Sequence, residues 1–210
     1  MNGTVVKNQL IFDFASGSLG PSKSLFTSTY LYLNSKASSI NHTFENMLGD
    51  NLLEDKGVNV SKLKYSDCIS NVNHTNNTSF KNSETPISRV VGPYDKVKWK
   101  QIYKGFSEFI LNINDNDELK LIKMDPGSSV PLHSHGGKEY ILVLDGSFCD
   151  EYGKYAKGDI QINDQKVKHT PIASKEEGCI CLTITEKDVI FFGRFGSFLN
   201  LFTFIKSFFK

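Results

Sequence analysis

The sequence predicts a mainly β protein with a small α-helical unit ahead of it, and three observations carry that reading. From Val90 onward, short apolar runs recur between turn signals. Before residue 55 the apolar residues repeat at helical spacing instead. Between the two, "SDCISNVNHTNNTSFKNSETP" is rich in Asn, Ser and Thr and poor in aliphatics. Size permits the combination, since 210 residues that are 39% hydrophobic can build one core plus a smaller second unit.

Residues 1–55 are expected to form the helical unit. Leu10 and Phe14 repeat at i, i+4, and the segment stops at "SLGPS". Gly20 suits a helix C-terminus and Pro21 the first turn of the next helix. In "SLFTSTYLYLN" the residues Leu25, Thr29, Tyr32 and Leu33 share one face. Ile40, Phe44, Met47 and Leu48 then form an i, i+4, i+7, i+8 stripe. Few large residues are present, so this core alone is marginal. Residues 56–87 cannot bury enough surface to order themselves and read as a flexible linker.

Residues 88–190 read as a β-barrel. The expected strands are "KVKWKQI", "FSEFILNI", "ELKLIKM", "EYILVLDG", "GDIQI" and "CICLTIT". Their separators are "NDND", "DPGSS", "DGS", "EYGKY" and "SKEEG". Short strands at regular spacing with Gly and Asp turns indicate a sandwich or jelly roll. Residues 191–210 read as an apolar C-terminal helix, with Phe195, Phe198, Leu199, Phe202 and Ile205 at helical spacing. Phe204, Phe208 and Phe209 widen its apolar face. The uncharged run between Arg194 and Lys206 is too short for a membrane span. The helix can pack on the barrel or the helical unit, or meet a partner or a membrane surface. The sequence leaves these options open, and a homodimer with them.

Bulk properties exclude some classes. A formal net charge of +1 implies neither direct nucleic-acid binding nor an acidic partner. No basic n-region followed by a long apolar run opens the chain, so no signal peptide is expected and the location is read as cytoplasmic. Cys68, Cys149, Cys179 and Cys181 form no C-x-x-C pair and read as reduced thiols. Triplets such as Asn73-His74-Thr75 follow from the asparagine-rich composition rather than from glycosylation.

"GSSVPLHSHGGKEYILVLDG" carries the chemistry. His133 and His135 are two apart on a strand-like run and project to one face. Glu139 has the same parity beyond Gly136-Gly137, which can bend the strand, so three donors are expected from one hairpin. His169 in "KVKHTPI" is the fourth candidate, on a later strand folded back alongside. Three imidazoles and one carboxylate suit Zn, Fe, Mn or Ni rather than Ca or Mg. Four ligands close a tetrahedral zinc site, whereas six-coordination leaves open positions.

From Gly127 to Gly146 the spacing is Gly, five residues, His, one, His, three, Glu, six, Gly, which resembles the first cupin motif at every position. The Pro-x-Gly usual in the second motif is missing from "GDIQINDQKVKH". "MDPGSSVPLHSHGGKEYILVLDGSFCDEYGKYAKGDIQIN", His169-Thr170-Pro171, Glu177-Gly178-Cys179 and Trp99 are together similar to the cupin domain of ChrR-type anti-sigma factors. "LIFDFASGSLGPS" and "NMLGDNLLE" resemble the first and last helices of that family's small anti-sigma domain. The resemblance implies a cupin jelly roll whose zinc ligands are His133, His135, Glu139 and His169. It also implies a transcription regulator that sequesters an extracytoplasmic-function sigma factor until oxidative stress releases it. The family's helical domain holds a second zinc with a His-x3-Cys-x2-Cys pattern. Tyr30, Asn34 and Ala37 stand at the matching positions, so no metal is expected there.

The favoured function is thus a ChrR-like anti-sigma regulator with a metal-binding sensor cupin. The alternative is a metal-dependent cupin enzyme, a dioxygenase, isomerase or hydrolase, with Tyr140 and Tyr152 as acid/base candidates. Cys149 and the Cys179/Cys181 pair would join a sensor only if they lie near the metal.

Overall fold

A computed structural model describes residues 3–53, 84–111, 113 and 117–193. Nearly all of the expected linker and of the expected C-terminal helix lies outside the described residues. The chain divides into two compact units, Met1–Gly92 and Pro93–Lys210.

The first unit contains α1 (Gly3–Ala15), α2 (Pro21–Leu33), α3 (Ser35–Leu53) and the short α4 (Pro86–Val91). Helix α1 ends on Gly17, at φ +70°, with Ser18 N–H donating to Asp13 O and Gly17 N–H to Phe14 O. This is the six-to-one, five-to-two closure that favours glycine. The terminating glycine is therefore Gly17 and not Gly20. Gly20 stays extended because Pro21 opens α2, and a residue before proline avoids helical geometry.

The core of this unit differs in phase from the sequence pattern. Phe26, Tyr30 and Leu31 are buried on α2, while Leu25, Tyr32 and Leu33 are half-buried. Helix α2 packs against α1, α3 and α4, so a wide arc is covered rather than one stripe. Thr27 and Thr29 enter that arc because their hydroxyls donate back to Lys23 O and Leu25 O, at 2.7 and 2.8 Å. Phe12 and Phe44 meet edge to face, with ring centroids 5.5 Å apart.

The described residues of the second unit form β1 (Lys100–Tyr103), β2 (Phe106–Leu111), β3 (Glu118–Met124), β4 (His133–His135), β5 (Glu139–Asp150), β6 (Gly153–Ala156), β7 (Ile160–Asn163), β8 (Ile172–Ala173), β9 (Cys179–Thr185) and β10 (Val189–Phe191). Every apolar run read as a strand contains one. The strands that the pattern missed are β6, β8 and β10, two to four residues long and too short to show a period. The main sheet runs β1-β2-β3-β9-β5-β6, with β7 and β8 also pairing β5, while β4 and β10 form a separate two-stranded sheet.

Alternation along β5 builds the interior. Ile141 and Val143 pack with Met124, Phe148, Ala173, Cys179 and Cys181. Leu142 and Leu144, on the opposite parity, are buried too, which is why this strand reads as a continuous apolar run. The register against β9 then slips. Val143 faces Cys181 and Asp145 faces Ile180, leaving Leu144 as the extra residue of a bulge. Beyond it the parity inverts, so even-numbered Phe148 joins the same interior as odd-numbered Ile141.

Gly146 closes the bend at φ +66°, and a Cβ there would lie 2.3 Å from Gly178 O. Gly17 has a similar φ of +70° but nothing within 4 Å. Gly17→Ala should cost only the left-handed penalty, about 1–2 kcal/mol. Gly146→Ala should cost clearly more, because backbone must also move. Chemical denaturation of both variants checks the order.

Candidate metal centre

The four donors predicted from the sequence converge. Ligand atoms of His133, His135, Glu139 and His169 all lie within 4.8 Å of one another, and the residues are 4%, 1%, 6% and 0% exposed. The route differs from the expected hairpin. Strand β4, with His133 and His135, pairs with β10 and not with β5. Glu139 opens β5, which pairs with β7 and β9. Gly136-Gly137 makes the passage between the two sheets. A Cβ on Gly137 would meet Glu186 Cβ at 3.0 Å, so this passage is tight as well as bent. His169 reaches the site through an isolated bridge to His133, each backbone N–H donating to the other's carbonyl.

The second nitrogen of each outer imidazole is committed. His133 Nδ1 lies 2.8 Å from Pro131 O, an acceptor only, so Nδ1 carries the proton. His169 Nδ1 lies 3.0 Å from Asp150 Oδ2 and donates to that carboxylate. In their neutral forms both rings therefore aim a bare Nε2 inward. The two Nε2 atoms stand 3.0 Å apart, a contact that repels unless a cation stands between the lone pairs. His135 Nε2 approaches Glu139 Oε2 at 2.9 Å yet neither of its ring nitrogens makes a hydrogen bond. A buried imidazole with both nitrogens unsatisfied is costly, and a metal bond to one of them relieves much of that cost. The residues present thus fit a divalent ion.

The electrostatics agree. Burial lowers the His133 pKa to about 4 from 6.5, and the charges of His169 and His135 add to this against the opposing pull of Glu139. Burial also opposes charging His169, but hydrogen bonds and charges of Glu139 and Asp150 outweigh it and raise its pKa. Burial would raise the Glu139 carboxyl, yet His135 and His169 hold it well below the usual range. Without metal, these same groups favour a proton on His169 in the place of the cation.

Several groups escaped the sequence reading. Asn163 Nδ2 donates to Glu139 Oε2 at 3.1 Å, from the β7 residue directly opposite Glu139. Asp150 falls between the separators "DGS" and "EYGKY", in no expected strand. It has the wrong parity relative to Glu139, and only the bulge at Leu144 turns it inward. Of the acid/base candidates, Tyr140 follows Glu139 on the strand and so points to the opposite face. Tyr152 is 57% exposed, and its hydroxyl donates to Lys168 O. Cys179 and Cys181 are buried with Sγ atoms 3.3 Å apart. Their mutual hydrogen bond and burial hold the Cys181 thiol well above its ordinary range, an inert state.

At the positions where the resembled family carries its second zinc pattern, Tyr30 and Ala37 are buried core residues. Asn34 joins two helices: its backbone N–H donates to Tyr30 O at the end of α2, and its Oδ1 accepts from Ala37 N at the start of α3.

Comparison with known proteins adds independent findings. Residues 88–187 match the family described as the ChrR cupin-like domain. The anti-sigma-E factor ChrR of Cereibacter sphaeroides is 37% identical over 115 residues, which cover 54% of this chain and 52% of that protein. The match thus spans about half the length of that curated relative. A chain in the crystal structure of Rhodobacter sphaeroides SigE in complex with the anti-sigma ChrR superposes with a TM-score of 0.69 at 28% identity, covering 85% of this chain and 96% of that one. That coverage exceeds what the second unit alone can supply, so the helices are included.

Wild-type protein should take up one zinc per chain, and His133→Ala should take up none under matched dialysis, read by metal analysis. Zinc must displace the His169 proton, whose pKa is raised, so zinc affinity should climb as pH rises through and beyond 6.5. Metal-free protein should lose stability as pH falls from 6.5 toward 4, where His133 must charge. Melting temperature against pH, with and without zinc, measures this.

Proposed function

We propose, for a chain whose residues 88–187 match the ChrR cupin-like domain family, that it is an anti-sigma regulator whose cupin senses through a bound metal. The observation that carries the reading is the match, over 85% of this chain, to a chain of the crystal structure of SigE in complex with the anti-sigma ChrR, in a protein that has both a helical unit and a β unit. The partner is an extracytoplasmic-function sigma factor, bound in the cytoplasm, and the stimulus is oxidative stress. Among the described residues no helix is long and apolar enough to cross a membrane.

In this reading His133, His135, Glu139 and His169 hold zinc. The bound ion would supply a cross-link between the small sheet, the main sheet and the segment around His169. The chain's own residues do the rest. Pro131 O and Asp150 orient two imidazoles, Asn163 steadies Glu139, and Phe191 lies against His133 with centroids 5.7 Å apart. Oxidation or loss of a ligand would then free β4 from β5 and shift the balance toward a sigma-free state. A coupling of about 1–3 kcal/mol suffices for a 5- to 150-fold change in affinity. The helical unit supplies the apolar binding surface and needs no ion of its own, because Asn34 and packing around Tyr30 close the α2–α3 junction.

Neither tyrosine offered as an acid or base for the enzymatic reading faces the centre, since Tyr140 points to the other sheet face and Tyr152 donates to Lys168 O outside it.

Co-expression with the extracytoplasmic-function sigma factors of the source genome, followed by size-exclusion chromatography, tests the proposal. One sigma factor should co-elute with the full chain and be lost on deletion of residues 1–55. His135→Ala should keep the complex while abolishing its release by oxidant. Failure to bind any encoded sigma factor overturns the reading.

A further inference from the structure

The segment that carries His169 has little to hold it. It belongs to no strand, and among the described residues its only ladder contact is the bridge of His169 to His133, itself a ligand. The Pro-x-Gly that would stiffen the preceding turn is absent from "GDIQINDQKVKH". Yet His169 is fully buried and in position.

The support comes from the turn between β5 and β6. We propose that Asp150-Glu151-Tyr152 is a positioning clamp for the fourth ligand, three consecutive residues gripping the three consecutive residues Lys168-His169-Thr170. Asp150 Oδ2 accepts from His169 Nδ1 at 3.0 Å, Glu151 Oε2 accepts from Thr170 N at 2.8 Å, and Tyr152 Oη donates to Lys168 O at 3.2 Å. The ligand is thus held on its side chain and on the backbone either side of it.

Asp150 is itself fixed by three donors besides His169. Its Oδ1 accepts from the backbone N–H of Tyr152 and of Gly153, at 2.9 and 3.2 Å. Its Oδ2 also accepts from Gln161 Nε2 at 2.8 Å, and that amide reaches Tyr155 Oη at 3.1 Å. The carboxylate's acceptor capacity is filled and its side chain is fully buried. A carboxylate so anchored sets both the tautomer and the angle of His169, as outer partners of metal-bound histidines do. Glu151 and Tyr152 are exposed, so two of the three grips sit at the surface while the third lies in the interior.

The inference rests on the metal reading and is separable from it. The full-length protein and the variants D150N, E151A and Y152F are loaded with zinc, and separately with cobalt, whose visible spectrum reports the ligand set. C149S, at an exposed neighbour on β5, is the control. D150N keeps the Oδ1 acceptor of the turn but loses the charge and sets an amide donor against the donors of His169 and Gln161. It should bind zinc 10- to 100-fold more weakly with an altered cobalt spectrum. E151A and Y152F should leave the cobalt spectrum intact and speed zinc release to a chelator several-fold. A merely structural turn would lower the melting temperature of the metal-free protein without moving these metal readouts. Should D150N fail to fold, faster release from E151A and Y152F still supports the clamp. Wild-type affinity, spectrum and release rate in all three variants overturn it while leaving the metal reading intact. A wild-type protein that takes up neither ion overturns both.

Discussion

Mutual repulsion among buried donor atoms is the constraint around which the second unit is organised. Two imidazole lone pairs face each other at 3.0 Å, a third ring has neither nitrogen hydrogen-bonded, and a carboxylate stands beside them. Packing cannot relieve this, since apolar neighbours only deepen the desolvation cost. A cation can, and either a proton or a metal ion will serve. Competition between the two follows directly, and so does the division of labour in which one histidine is pressed toward neutrality and another toward charge.

Holding such a set requires elements that do not yield. Two donors come from a short strand in a minor sheet, one from the edge of the longest strand of the main sheet, and one from a bridge residue. No single hairpin supplies them, so the centre depends on tertiary closure of the barrel. Three of the four ligands are backed by a group one step further out, His133 by a proline carbonyl, His169 by an aspartate and Glu139 by an asparagine amide, while His135 has no such partner.

How much of this was legible in the sequence follows from range. The spacing of His133, His135 and Glu139 is local, and it announced donors at once. The longer strands β2, β3, β5 and β9 were legible because alternation or a continuous apolar run persisted over enough residues, and the four-residue β1 and β7 because each sits in an apolar run between turn signals. Asp150 was not, because its orientation depends on one extra residue at Leu144, which reverses every parity downstream. The pairing of β4 with β10 was equally invisible, since a three-residue strand has no period of its own. In the helical unit the elements were readable but their buried faces were displaced. A helix enclosed on several sides has no single stripe, and a buried threonine bonded to its own backbone looks polar on paper. Asn34 shows the same limit, for its capping role appears only once two helices are seen to meet at it.

The contact between Gly146 and the carbonyl of Gly178 ties together two turns thirty-two positions apart. Neither residue touches the metal donors, yet a side chain at the first would push on the backbone of the second. The two glycines should therefore vary together among related chains, and a relative carrying any larger residue at one of them will have rerouted the crossing rather than merely tolerated the change.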